Sequence, residues 1–157
     1  MSEPLIETAL AESVREVLEK MFFVDLADSP SGESLTSGFA AELSFDGDPP
    51  GSFGLALDQV AARSATGDFL GNDSADLSEE QLKEVVCELA NMICGSVLSR
   101  IESSATFRLS KPAIVAFAEF ASGELEASFQ ALVGGGILRA GIRMERTVCP
   151  VTSESAS

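Results

Sequence analysis

Residues 76–104, DLSEEQLKEVVCELANMICGSVLSRIESS, read as one long helix with a single apolar face, and that face has to be covered. Leu82, Val85, Val86, Leu89, Met92 and Ile93 fall on one side at helical spacing. Asp76 or Ser78 serves as the N-cap, and acidic residues fill the first turn, where the helix dipole favours them. The rest of the chain supplies the cover. Residues 4–22 form a second amphipathic helix, with Leu10, Val14, Val17, Leu18 and Met21 on one face.

Strand patterns surround these helices. Residues 37–47 alternate through Phe39, Ala41, Leu43 and Phe45, a half-buried strand. The turn cluster DGDPPG returns the chain through a strand at 52–58, and a shorter helix runs from Gln59 to Leu70. GNDSAD closes this half as a loop. After the long helix, ATFRLSKP is extended and irregular, with Lys111 biased away from helix by Pro112. AIVAFAEFA, ELEASFQALV and GILRAGIRMER read as strands, the last two joined by a glycine turn at 134–136. A shift of 72 residues lays one long helix on the other: Leu10 on Leu82, Val14 on Val86, Val17 on Leu89 and Met21 on Ile93. Helix followed by hairpin occurs in both halves, so the expected architecture is α+β. Long helices pack on an antiparallel sheet, built by a degenerate internal duplication. A single domain over 1–147 and a frayed tail over 148–157 follow.

The side-chain inventory restricts the chemistry. The chain has no histidine, which removes Ser–His–Asp and Cys–His nucleophilic schemes and every histidine metal site. Neither phosphate-loop glycine pattern occurs; VGGGIL has the glycines without the spacing. Ten Lys and Arg against 25 Asp and Glu give a net charge of −15, a surface that keeps the protein soluble and repels nucleic acid and anionic lipid. No apolar run approaches the roughly 18 to 20 residues of a membrane span. The acidic amphipathic start is unlike a signal peptide, so the expected location is the cytoplasm and Cys87, Cys94 and Cys149 are expected as reduced thiols, the first two as core filler.

One stripe of the long helix is odd. At about 100° per residue, Glu84, Glu88, Asn91 and Gly95 share an arc of roughly 60° opposite the apolar face. Two Glu at i, i+4 repel by about 0.2–0.5 kcal/mol, Asn costs about 0.5 kcal/mol against Ala in mid-helix, and Gly about 1. The stripe weakens its own helix. From spacing alone the plainer reading is a solvated face, with Gly95 permitting close approach of another backbone.

Glu84-x3-Glu88-x2-Asn91, followed after twenty residues by Pro112, resembles the signature of the CheC/CheX/FliY family of chemotaxis phosphatases. ELANMICG and LSKPAIV are similar to its CheX branch. The resemblance implies a CheC-like fold and hydrolysis of the aspartyl-phosphate of a CheY-like response regulator. It implies that Asn91 enters the regulator's site and orients the attacking water, while Glu88 pairs with a lysine of the regulator. Glu84, Gly95 and Pro112 join Glu88 as partner-binding positions. No metal or cofactor is expected in this chain; Mg2+ belongs to the regulator. A homodimer with one active stripe per chain is the CheX-like arrangement. The chemistry suits the inventory, because phosphoryl transfer asks for positioning rather than a covalent nucleophile, and an amide donates and accepts without titrating. Glu84 stands where the family has Asp or Ser, and the gap to Pro112 is two residues short. The equivalent stripe on the first helix, Glu12, Glu16 and Glu19, lacks the Asn and reads as a solvated face or an inactive copy. The alternative function is a CheX-like module that docks a regulator or another signalling partner without hydrolysis, and a third is a plain acidic dimerising domain.

Overall fold

A computed structural model describes residues 3–21, 26–28, 37–47, 50–71, 77–101, 107–117 and 127–144. Its elements are α1 (Glu3–Glu16), continued by a π-helical turn at Val17–Met21, then β1 (Leu26–Asp28), β2 (Gly38–Asp46), β3 (Gly51–Asp58) and α2 (Gln59–Leu70). The second half holds α3 (Glu79–Ile101), β4 (Arg108–Leu109), β5 (Ala113–Val115), β6 (Ala127–Val133) and β7 (Gly136–Met144). The expected tail over 148–157, Cys149 and Asp76 lie outside the described residues.

The helix ends are set by identifiable side chains. Ser78 caps α3: its Oγ accepts from the Gln81 N–H at 3.1 Å, and Gln81 Oε1 accepts from the Ser78 N–H at 2.8 Å. This reciprocal pair satisfies two otherwise unpaired donors at the helix start. Asp58 does two jobs. One carboxylate oxygen accepts from the Ala61 N–H at 2.8 Å, capping α2, and the other accepts from the Ile137 N–H at 3.0 Å, tying α2 to the start of β7. That clasp leaves no room at Gly136, where an added Cβ would lie 2.2 Å from the Ala61 nitrogen. Gly134 and Gly135, at φ 59° and 89°, form the two-residue turn between β6 and β7, the left-handed pair whose twist matches its flanking strands.

All strand pairs are antiparallel, in the order β1-β6-β7-β3-β2-β4, with β5 also on β2. The order is unchanged when β1 is exchanged with β4, β2 with β6 and β3 with β7. One face of the sheet carries Phe39, Leu43, Phe45, Phe53, Leu55 and Ile142 into a core with Leu10, Val14, Leu18, Leu82, Leu89 and Ile93 of the helices. β2 shows why one face suffices: its odd residues from 39 to 45 are buried, whereas Glu42 and Ser44 are exposed. The opposite face holds a small cluster, Ala40 and Ala56 beside Val115 and Phe117. Long helices on an antiparallel sheet is therefore the architecture.

One strand is shorter than its sequence suggests. AIVAFAEFA reads as a nine-residue strand, yet pairing stops at Val115; residues 118–121 lie outside the described residues. An unbroken apolar run carries no period to mark its end, and the partner β2 begins at Gly38, only two residues past the Ala40–Val115 pair.

Candidate functional site

The outer side of α3 and the β4–β5 edge enclose an open groove of about 870 Å³. Burial of Leu82, Val85, Val86, Leu89 and Ile93 against the sheet fixes the helix rotation. That rotation leaves Glu84 and Glu88 exposed and Asn91 half-buried on the groove wall. The facing wall is Ser110, Lys111, Pro112 and Ile114. Thus Glu84, Glu88, Asn91 and Pro112 line one groove although twenty residues separate Asn91 from Pro112. Gly95 does not line it. It lies one turn beyond Asn91, and an added Cβ there would meet nothing within 4 Å.

Sequence reasoning missed several groove residues. Lys83 and Cys87 stand on the helix wall and Ser110, Lys111 and Ile114 on the strand wall. Lys111 had a signal, the Lys–Pro step in an extended stretch, but nothing in the sequence says that the step faces α3. Cys87, expected as core filler, is half-buried and lines the groove while its apolar flank packs on the core; Cys94 is fully buried. Burial pushes both thiols up, Cys94 to about 12, so neither supplies a thiolate at neutral pH. Among the described residues, no group of three or more Cys, Asp and Glu is placed to hold a metal ion.

The α1 stripe has a different environment. Arg100 near the end of α3 donates to Glu12 at 3.2 Å and to Glu16 at 2.5 Å, and Lys20 lies 3.9 Å from Glu16. Two of the three stripe carboxylates are therefore engaged by an interhelical arginine, which neither the solvated-face nor the inactive-copy reading included.

The groove offers the carboxylates of Glu80, Glu84 and Glu88, the Asn91 amide and two cations, Lys83 and Lys111, while its one thiol, Cys87, stays protonated at neutral pH. Residues 39–131, more than half of the chain, match the family model described as chemotaxis phosphatase CheX, and the chain belongs to that family. No curated protein sequence matches it. Among solved structures, the fold is similar to CheX from Vibrio vulnificus, with a TM-score of 0.71 and 17% identity over 92% of this chain and 99% of that one. It also matches CheX in the CheX–CheY–BeF3–Mg2+ complex from Borrelia burgdorferi, with a TM-score of 0.68 and 18% identity over 88% and 97%. Thermotoga maritima FliY is similar at a TM-score of 0.58 and 16% identity, over 90% and 89%. No helix among the described residues is long and apolar enough to cross a membrane.

Proposed function

We propose that the protein hydrolyses the aspartyl-phosphate of a CheY-like response regulator by seating α3 on the regulator's phosphorylation site. The observation that carries this reading is the shared groove of Glu88, Asn91 and Pro112, in a chain of the CheX family. Asn91 enters the regulator's site, its carbonyl oxygen accepting from a water and its NH2 donating to a phosphoryl oxygen. The water oxygen bonds to phosphorus as the bond from phosphorus to the aspartyl oxygen breaks, giving inorganic phosphate and a free carboxylate. Glu88 grips a lysine of the regulator and so fixes the angle of approach, with Glu84 and Pro112 framing the contact and Gly95 adding no bulk beyond it. Mg2+ stays with the regulator, in keeping with the Mg2+ in the Borrelia CheX–CheY complex.

The protein is cytoplasmic and homodimeric in this reading, with one working stripe per chain; light scattering tests the dimer. The symmetric strand order supports descent from a helix-hairpin duplication. In the first copy Glu19 occupies the Asn91 position, and an ionised carboxylate there cannot donate, so that stripe has no hydrolytic role in this reading. The test is loss of phosphate from a panel of phosphorylated receiver domains with Mg2+. Wild-type protein accelerates the loss for at least one of them. Binding without acceleration would leave the non-catalytic docking module as the function.

A further inference from the structure

β4 and β5 are two pieces of one edge strand, paired with β2 in different registers. Leu109 faces Phe45 and Arg108 faces Asp46, whereas Ala113 faces Glu42 and Ile114 faces Ala41. Between these frames Ser110, Lys111 and Pro112 stand opposite only Leu43 and Ser44, which is a one-residue bulge. Ser110 pins it: its N–H donates to the Ser44 carbonyl at 2.8 Å, and its Oγ accepts from the Ser44 N–H at 2.9 Å. Pro112 has no N–H to lose and fits where the ladder is interrupted. Bulges re-aim side chains. Here Leu109 and Ile114, five residues apart, both reach the helix-side groove, and the bulge residues between them form part of its wall.

Lys111 is exposed on that wall and makes no ion pair among the described residues. Its placement matters because the surroundings are acidic. The chain carries −15 overall, and Glu80, Glu84 and Glu88 line the helix wall of the same groove. A phosphoryl group entering there meets three carboxylates and one lysine, Lys83, on the helix wall, and Lys111 is the cation on the facing strand wall that offsets the remaining repulsion. A flexible stem with three donors at its tip suits an anion delivered on a separate protein.

The geometry points to Lys111 as the residue that makes the groove prefer a phosphorylated regulator over the unphosphorylated one, by donating to the phosphoryl oxygens from the side opposite Glu88. This rests on the phosphatase reading and adds the discrimination between the two forms of the partner. Lys111 forms no bond to the reacting atoms beyond these hydrogen bonds; it holds the anion in reach of Asn91.

The test measures the affinity of wild type, Lys111→Ala and Lys111→Arg for a receiver domain loaded with BeF3− and Mg2+, and for the same domain with Mg2+ alone. Lys111→Ala should loosen the loaded complex about tenfold and leave the unloaded one within about twofold, with Lys111→Arg recovering most of the loss. In turnover it should raise KM about as much and leave kcat nearly unchanged, whereas Asn91→Ala lowers kcat. Equal losses on both forms, no loss on either, or an arginine variant as weak as the alanine one overturns the proposal. The two readings fail separately. Unchanged discrimination in Lys111→Ala beside a dead Asn91→Ala removes only the role of Lys111. A Lys111-dependent preference for the loaded form without wild-type turnover removes only the hydrolysis.

Discussion

Gly95→Ala tests why a weak residue sits inside the longest helix. Gly95 lies in the interior of α3, a 23-residue helix, and the space where a methyl would go holds no atom within 4 Å. With no clash to offset it, the substitution gains the ordinary helix-interior difference, about 1 kcal/mol. In a domain of this size that corresponds to a rise in Tm of about 2–4 °C. Urea unfolding followed by circular dichroism reads the gain directly, as a higher midpoint with an unchanged slope. A lower midpoint would refute the reasoning, because it would mean that the glycine is held by its own domain. Gly95→Leu separates the remaining explanations. With the fold intact, it should weaken binding to a BeF3−-loaded regulator. Unchanged binding would put Gly95 outside the docking surface and leave its presence without a functional reason.

Two further outcomes follow from buried groups. Thr66 Oγ1 is fully buried in α2 with no hydrogen-bond partner among the described residues, so Thr66→Val should raise stability by about 1 kcal/mol. A loss in thermal melts would reveal a hydrogen bond to that hydroxyl. Cys94 gives a pH signature. Its thiol ordinarily titrates at 9.0 and burial lifts it to about 12, so between those values the unfolded chain releases a proton that the folded chain keeps. The contribution is constant below 9.0 and declines as pH rises towards 12, at most by about 1.4 kcal/mol per unit. Urea midpoints should fall less steeply over this window in Cys94→Ala than in wild type; identical slopes would contradict the assignment.

Helices and hairpins were readable because their signals are local. Gln59–Leu70 was legible from its pattern, Ser78 as one of two capping candidates beside Asp76, and the β6–β7 turn from its consecutive glycines. The buried side of β2 followed from alternation at Phe39, Ala41, Leu43 and Phe45. Features that depend on pairing were not legible. The bulge at Ser110–Pro112 is a difference between two registers against β2, and no single strand carries that information. The groove shares this property: α3 alone identifies a stripe, but Lys111 becomes its neighbour only when β4 and β5 are laid on the sheet. Arg100 lies 88 residues from Glu12, so its ion pairs with the first stripe belong to helix packing rather than to either helix pattern. Cys87 shows the limit of binary patterning, since one residue at the edge of an apolar face touches both core and groove.

The central claim is that one amide on α3 directs water to phosphorus. The direct measurement is the first-order loss of phosphate from a phosphorylated CheY-like regulator with Mg2+, in the presence of wild type or Asn91→Ala at saturating concentration. The account predicts acceleration by wild type and a loss of about 100-fold or more in Asn91→Ala, while the variant still binds the BeF3−-loaded regulator. Equal rates for the two proteins would contradict it.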